Sequence, residues 1–230
     1  MGSTAQSSNT PSLTLYRLDG SCAFVPHSLL RHFDIPFKAI RLKFGPDGVE
    51  AADGSFTHAQ YRAIHPRGYV PALAVDNEVI TEIPAVLNYI SSLVPDENLL
   101  GVGPLQRAKV AEWLAFLSGT VHGLGYGPLL RPSRFSDDAA MHDAIRAKGK
   151  KLKDESYEAI EKALEGREFA VGQALTVVDF NLYVYARWAK EFDMDVETLY
   201  PSLYEHAQRM EKLAGIRETA ENEGLALSFT

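Results

Sequence analysis

The amino-acid sequence predicts an α/β domain at the N-terminal end followed by an all-α domain. Three observations favour this arrangement. Short apolar runs alternate with helical patterns in residues 13–94, and a Pro- and Gly-rich stretch, "VPDENLLGVGP", follows them. Residues 104–230 then contain no convincing strand pattern but several apolar stripes at helical spacing. We therefore assign a domain to each of these two ranges and a linker to residues 95–103.

The first domain opens with a predicted β-α-β unit. Leu13–Leu18 carries apolar residues on both faces, which is typical of a buried strand, and the turn "DGS" ends it. A helix is predicted from Phe24, where apolar residues recur every four positions and Pro26 falls in the first turn. The run "PFKAIRL" predicts a second strand, parallel to the first. The glycine- and acid-rich "KFGPDGVEAADGS" is predicted to be a loop, and the small, polar residues 1–12 to be disordered.

A β-hairpin and a helix are predicted to complete this domain. The runs "YVPALAV" and "NEVI" are separated only by "DN", which indicates two antiparallel strands. A helix is expected to begin near Glu82 and to end at the Pro- and Gly-rich stretch.

Three long helices are predicted in the second domain. The first begins at Pro104 and carries an apolar stripe up to the glycine-rich "HGLGYGP". The second runs from about residue 137 to 166. The third opens with "TVVD", where Thr176 and Asp179 have the spacing of a capping box.

Composition excludes several classes of function. The net charge is −7, with 23 Lys and Arg against 30 Asp and Glu, which disfavours a nucleic-acid partner. The single cysteine cannot form an internal disulfide, and no charged-then-apolar leader opens the sequence, so we expect the reducing cytoplasm. No apolar run approaches the roughly 18 residues of a membrane span. We expect neither a membrane partner nor a metal site.

Cys22 lies directly before a predicted helix, which raises the question of its reactivity. A thiol at a helix N-terminus experiences the positive end of the helix dipole and unpaired N–H groups, which favour the thiolate. The alternative is a buried, inert cysteine, because free cysteine is among the most buried residue types.

Two further motifs favour a functional cysteine. In "GYVPAL", Pro71 cannot donate a ladder hydrogen bond, so it belongs at a sheet edge or in a cis turn, where the backbone of Val70 could pair with an extended peptide. In "TEIPA", Glu82 lies at a helix start, where its carboxylate and the first N–H groups could hold an amine and a carboxylate. Each motif alone is weak, but their order behind a strand-turn-Cys-helix unit is specific.

These motifs give the chain a resemblance to the cytosolic glutathione transferases, most closely to the bacterial-type beta class. The resemblance extends from Leu13 to the C-terminus through "GSCAFVPH", "HPRGYVPAL", "ITEIPAVLNYI", "VPDENLL", "EWLAFLSGTVH" and "AVGQALTVVDFNLYVYARWA". It implies a thioredoxin-like first domain, a helical-bundle second domain and a homodimer. It also implies a detoxification enzyme that binds glutathione as co-substrate between its domains and transfers it to a small hydrophobic electrophile.

The resemblance also implies roles for individual residues. Cys22 and His122 match the family's residues beside the glutathione sulfur. The glutathione-binding positions that match are Val70, Pro71, Glu82 and Ile83, with Ile83 offering only its backbone N–H. The electrophile pocket is expected to include Trp188 and residues of "HGLGYGPLLRPSRF", with candidates Tyr126, Arg131 and Arg134. Ser21 and Tyr16 are alternative partners of the sulfur.

The chain departs from the family pattern at several glutathione-binding positions. Ile83 stands where most relatives have serine, and Lys43 is a doubtful substitute for a lysine that binds the glycine end. The first long helix and its end carry small residues where some relatives have polar ones, namely Ala115, Gly119 and Gly123. These losses predict weaker or altered glutathione binding.

Three functions fit these residues. The first is a glutathione transferase that conjugates electrophiles or, through Cys22, exchanges thiols with disulfides. The second is a ligand-binding protein of the same fold with little turnover, which the departures favour. The third is a glutathione-dependent isomerase or biosynthetic enzyme, which shares every site residue with the first.

Overall fold

A five-stranded mixed sheet forms the core of the N-terminal domain in the computed structural model, which describes residues 11–229. Its spatial order is β3-β2-β1-β4-β5, and only β1 and β2 run parallel, as the β-α-β pattern predicts. The strands are β1 (Leu13–Leu18), β2 (Lys38–Gly45), β3 (Gly48–Ala51), β4 (Ala72–Val75) and β5 (Glu78–Thr81). The helices of this domain are α1 (Phe24–His32), α2 (His58–Tyr61) and α3 (Ile83–Leu93). This architecture fits a thioredoxin-like domain.

The predicted disordered segment falls largely on residues 1–10, which lie outside the described residues. Its last residue, Ser12, is held against the sheet. The backbone N–H of Ser12 donates to the carboxylate of Asp76 at 2.9 Å, and the N–H of Asp76 donates back to the carbonyl of Ser12 at 2.9 Å.

The segment predicted to be a loop after the second strand is instead a β-hairpin. Strand β2 continues to Gly45, and β3 pairs antiparallel with it, with Gly45 opposite Gly48. Val49 and Ala51 face the interior, but two apolar residues among glycines and acids give too weak an alternation to predict a strand. Gly48 has φ +138°, and a side chain there would begin only 2.6 Å from the ring of His58.

The second predicted hairpin is confirmed. Strands β4 and β5 pair antiparallel through a turn at Asp76, which has φ 52°. Helix α3 follows directly, with Glu82 as the residue before its first turn, where the sequence placed the helix start.

Beyond α3, the described residues form helices and connecting turns without a strand, so the prediction of an all-α second domain is confirmed. The helices are α4 (Gly103–Ala115), α5 (Gly127–Leu130), α6 (His142–Leu164), α7 (Val177–Glu191), α8 (Val196–Leu199), α9 (Pro201–Met210) and α10 (Ala214–Glu223). None of the helices within residues 11–229 combines the length and apolar character that crossing a membrane requires.

The glycines of "HGLGYGP" suggested that the first long helix of this domain ends there, but the helical backbone continues through them. Residues Phe116–Tyr126 form a π-helical segment that joins α4 to α5, and the N–H of Gly127 donates to the carbonyl of His122. The glycines serve packing instead, because a Cβ on Gly125 would lie 3.1 Å from the Cα of Lys153 on α6.

Helix α7 lies at the centre of the second domain, with residues 177–189 all buried. At its start, the buried carboxylate of Asp179 accepts a hydrogen bond of 2.7 Å from the N–H of Thr176, as the capping-box spacing predicts. The same carboxylate accepts from the hydroxyl of Thr176 at 2.9 Å, the N–H of Ala170 at 2.9 Å and the Nε2 of His206 at 3.0 Å. Asp179 therefore connects α7, the preceding loop and α9.

Replacing Asp179 with alanine is expected to destabilise the protein by about 3–5 kcal/mol, because buried donors on three segments lose their acceptor. The control is Asp195→Ala, at the start of α8, where an exposed aspartate accepts one hydrogen bond from the N–H of Thr198. Its loss should cost about 1 kcal/mol. Urea unfolding measures both, and equal changes in the two variants would contradict the role given to Asp179.

Candidate functional site

Two adjoining cavities occupy the cleft between the domains. The first, of about 240 Å³, is lined by Glu82, Ile83 and Pro71, and we call it the Glu82 cavity. The second, of about 320 Å³, is lined by Trp188 and Arg131, and we call it the Trp188 cavity. The residues that line both are Cys22, Tyr69, Val70, His122, Gly127 and Arg134.

All ten residues that the sequence assigns to the sulfur, glutathione and electrophile positions line at least one of these cavities. A larger cavity of about 420 Å³, beside α3 and α4, holds none of them, and neither does one of about 750 Å³ beside α4 and α6. The cleft is therefore the candidate functional site, although it is not the largest concavity.

Cys22 lies in the turn between β1 and α1 and is 8% exposed. Its thiol donates to the carbonyl of Val70, with 3.3 Å between Sγ and the oxygen. Burial raises the pKa of Cys22 to about 12, and hydrogen bonds from the N–H groups of Cys22 and Ala23 oppose this only in part. The expectation that the helix N-terminus favours a thiolate is therefore wrong for this structure, because desolvation outweighs it.

The loop before β4 presents free backbone beside this thiol. The Val70–Pro71 peptide bond is cis, as the motif and the resemblance suggest. The hydroxyl of Tyr61 donates to the carbonyl of Tyr69 at 2.7 Å and holds the loop against the sheet. Among the described residues, the N–H of Val70 has no hydrogen-bond partner, so it is available to an extended ligand.

Glu82 stands between β5 and α3 in a costly backbone conformation. Its φ is 69° and its ψ is 125°, values that favour glycine, and such residues cluster at functional sites. The side chain is 57% exposed and forms an ion pair with Arg67. The N–H of Ile83, the first residue of α3, has no acceptor within the helix. A carboxylate and a helix N-terminus thus meet at one wall of the Glu82 cavity.

His122 lies on the π-helical segment at the junction of the cavities. Its ring contacts the indole of Trp188 edge to face, with 5.3 Å between centroids. Burial, together with the positive charge of Arg134, lowers the pKa of His122 to about 4. The imidazole is therefore neutral at neutral pH and can donate or accept one hydrogen bond at each nitrogen.

Tyr126 and Trp188 line the Trp188 cavity as aromatic groups whose polar atoms are already bonded, with Tyr126 fully buried and Trp188 8% exposed. The hydroxyls of Tyr126 and Tyr157 are 2.7 Å apart, and burial raises the pKa of Tyr126. The indole N–H of Trp188 donates to the carbonyl of Gly20 at 2.8 Å. These two residues therefore give the cavity an apolar, aromatic wall.

Arginines from the second domain cover aromatic rings of the first. The guanidinium of Arg131 lies 5.2 Å from the ring centroid of Phe44, and that of Arg134 lies 4.0 Å from the ring centroid of Tyr69. Sequence reasoning overlooked Phe44 and Tyr69. Tyr69 lies inside the quoted "HPRGYVPAL" beside Val70, whereas nothing near Phe44 in the sequence indicates its role.

The alternative sulfur partners are engaged elsewhere. The hydroxyl of Ser21 donates to the carbonyl of Leu18 at 2.7 Å and accepts from the N–H of Ala23 at 3.1 Å. Tyr16 packs against Phe56 and Tyr61 and lines neither cavity. Lys43 also lines neither cavity, and its Nζ lies 3.6 Å from the carboxylate of Glu50.

Comparison with known proteins identifies the family to which this chain is similar. The family model "Glutathione S-transferase, C-terminal domain" matches residues 130–214. A glutathione S-transferase of Xanthomonas campestris is 30% identical over 218 residues, covering 93% of this chain and 100% of the relative. Weaker similarity, 24% identity over 70% of this chain and 63% of the relative, links it to a probable maleylacetoacetate isomerase of Drosophila melanogaster.

Solved structures of glutathione S-transferases are also similar to this chain. A sphingomonad glutathione S-transferase in complex with glutathione is 29% identical, with a TM-score of 0.77 and coverage of 93% of this chain and 100% of that chain. The bacterial beta-class enzyme of Sphingomonas chungbukensis is 27% identical, with a TM-score of 0.79 and the same coverage.

The low pKa of His122 predicts a pH-dependent contribution to stability. Between pH 6.5 and about 4, the unfolded chain binds a proton at this histidine that the native protein does not bind, so stability falls as the pH falls. A His122→Asn variant has no titrating group at this position, so it should not show this fall in stability. We expect the free energy of unfolding of the wild type, relative to the variant, to drop by about 2 kcal/mol from pH 7 to pH 4.5. Urea unfolding of both proteins at both pH values measures this change. If the difference in the free energy of unfolding between wild type and variant is the same at both pH values, the lowered pKa of His122 is contradicted.

Proposed function

The chain belongs to the glutathione S-transferase family and uses glutathione as co-substrate, and we propose that it conjugates glutathione to small apolar electrophiles where its two cavities meet. The observation that carries this proposal is the junction itself. A polar cavity with a carboxylate and a helix N-terminus opens onto an aromatic cavity, and Cys22 and His122 line both. A tripeptide thiol in the first would therefore face an apolar molecule in the second.

Glutathione has complementary groups for three polar elements of the Glu82 cavity, namely Glu82, the start of α3 and the backbone of Val70. Its γ-glutamyl ammonium would pair with the carboxylate of Glu82, and the neighbouring carboxylate would accept from the first N–H groups of α3. The cysteinyl backbone would pair with the free N–H and the carbonyl of Val70 in the manner of an added strand. This arrangement directs the sulfur toward the shared lining residues.

The protonation states around the sulfur favour conjugation over thiol exchange. Cys22 holds its proton at neutral pH, so its S–H would turn from the carbonyl of Val70 to the glutathione sulfur as a hydrogen-bond donor and would not act as an attacking thiolate. The neutral imidazole of His122 provides a second donor. Both donors can stabilise a glutathione thiolate without forming a covalent bond to it.

The Trp188 cavity would select the electrophile. Its aromatic wall, formed by Tyr126 and Trp188, suits a small planar or apolar molecule. Arg131 and Arg134 also line this cavity, over the rings of Phe44 and Tyr69.

The competing functions have less support. Of the departures that favoured a binding protein, Ala115 and Gly119 are exposed and line neither cavity, whereas Ile83 lines the Glu82 cavity together with Ser118. An isomerase remains the second candidate, because the similarity to maleylacetoacetate isomerases extends over much of the chain. To separate conjugation from isomerisation, the protein is incubated with glutathione and either a panel of electrophiles or maleylacetoacetate, and the consumption of glutathione is measured. Conjugation consumes glutathione, whereas isomerisation does not. The resemblance also predicts a homodimer, which sedimentation can measure, and the single cysteine predicts a cytoplasmic location.

Removing the charge of Glu82 should weaken glutathione binding. We expect Glu82→Gln to raise the dissociation constant, measured by calorimetry, by about tenfold or more, because the ligand's ammonium loses its carboxylate. The matched control is Glu78→Gln, four residues earlier on an exposed position of β5 that lines neither cavity. Equal affinities of the wild type and Glu82→Gln would refute the placement of the γ-glutamyl end.

Cys22 should react slowly in the native protein. We expect oxidised glutathione at pH 7.5 to form a mixed disulfide with the native chain at least about tenfold more slowly than with the urea-unfolded chain, because burial suppresses the thiolate. Intact mass against time measures both rates. Cys22→Ser should keep conjugation activity within about tenfold, since a hydroxyl also donates a hydrogen bond. Rapid adduct formation by the native protein would contradict the neutral thiol and favour thiol-exchange chemistry.

A further inference from the structure

Arg134 is the one residue with a permanent charge among the six that line both cavities. The other five comprise a thiol, a histidine with a lowered pKa, a phenol, a valine and a glycine. Among the residues that line both cavities, the positive charge therefore comes from this guanidinium, which the sequence indicated only as a pocket candidate.

The fold holds Arg134 at this junction. It ends a short turn, Pro132–Arg134, that follows α5, and the N–H of Phe135 closes the turn by donating to the carbonyl of Pro132 at 2.9 Å. The guanidinium lies over the ring of Tyr69, 4.0 Å from its centroid, and Tyr69 adjoins Val70 in the loop beside Cys22. Stacking on a ring leaves the N–H donors at the guanidinium edge free for a ligand.

The other nearby arginines are placed differently. Arg67 pairs with Glu82, and Arg131 lies over Phe44 and lines only the Trp188 cavity. Arg134, by contrast, forms no ion pair with a carboxylate of the described residues. It is thus a cation at the cavity junction without an anionic partner in residues 11–229.

The charge of Arg134 reaches the residues beside the sulfur position. This charge is the second cause, behind the larger effect of burial, of the lowered pKa of His122. The pKa of Arg134 is itself lowered by burial and by the charges of Arg131 and Arg67, although the phenol of Tyr69 opposes this. An anion placed between Arg134 and His122 would relieve these unfavourable interactions.

We propose that Arg134, stacked on Tyr69, stabilises the thiolate of bound glutathione at the junction of the two cavities. This inference rests on the proposed function. The S–H bond of glutathione breaks, its proton passes to water, and the resulting anion lies beside the guanidinium with Cys22 and His122 as neutral donors. The sulfur lone pair then forms the bond to the electrophilic carbon, and either a leaving group departs from that carbon with its bonding electron pair or, in an addition, the electron pair of an activated double bond takes a proton from water. The charge stabilisation comes from the second domain and the hydrogen bonds from both domains.

The thiol pKa of bound glutathione tests this role. It is measured from the thiolate ultraviolet absorbance of protein saturated with glutathione at a series of pH values, for the wild type, Arg134→Gln and Arg134→Lys. We expect Arg134→Gln to raise this pKa by about one unit. At pH values below the pKa, the fraction of thiolate and with it the conjugation rate should then fall about tenfold. Arg134→Lys should recover part of the shift. Arg146→Gln, the matched control, should change the pKa by less than about 0.3 units, because Arg146 is exposed on α6 and lines neither cavity.

A second measurement separates thiolate stabilisation from carboxylate binding. S-Methylglutathione keeps both carboxylates of glutathione but has no ionisable thiol. We expect its dissociation constant to change less than about threefold in Arg134→Gln. A larger loss of its affinity, with an unchanged thiol pKa, would overturn the inference in favour of a carboxylate contact. If the wild type binds neither glutathione nor S-methylglutathione, the proposed function itself fails, and this inference fails with it.

Discussion

The turn that carries Cys22 is held by the second domain through the backbone of a single glycine. The N–H of Gly20 donates to the carboxylate of Glu223 at 2.8 Å, and its carbonyl accepts the indole N–H of Trp188 at 2.8 Å. The other oxygen of Glu223 lies 2.7 Å from Nδ1 of His27 on α1. Because Cys22 follows Gly20 by two residues, the position of the thiol depends on the docking of α7 and α10. The cleft is therefore a property of the domain pair, and neither domain forms it alone.

Burial at this interface also determines the electrostatics of the site. The same desolvation raises the pKa of the Cys22 thiol and lowers that of the His122 imidazole, so both groups are neutral at neutral pH. A helix dipole contributes only a fraction of a unit charge near its terminus, and here it cannot offset the loss of water around the sulfur. Hydrogen bonding and the guanidinium of Arg134 thus remain as the means of stabilising an anion at the junction of the two cavities.

Elements with strong local signals were predicted closely. Leu13–Leu18 was bounded by a clear turn, the hairpin around Asp76 by a two-residue connection, and α7 by the capping pair Thr176 and Asp179. The errors fell where tertiary contacts override local preference. Strand Gly48–Ala51 exists because β2 offers it an edge, and the π-helical segment continues through its glycines because α6 packs closely against them.

The sequence alone determined the family, the two-domain fold and the candidate residues of the cleft other than Phe44 and Tyr69, because each of these follows from motifs that are contiguous along the chain. Only the tertiary structure decided what those residues can do. It fixed the protonation of Cys22, engaged the hydroxyl of Tyr126 with Tyr157, and placed Arg134 over Tyr69. Each of these depends on solvent exclusion or on a partner distant in the chain, and no local pattern of residues encodes the distance between two groups that only folding brings together.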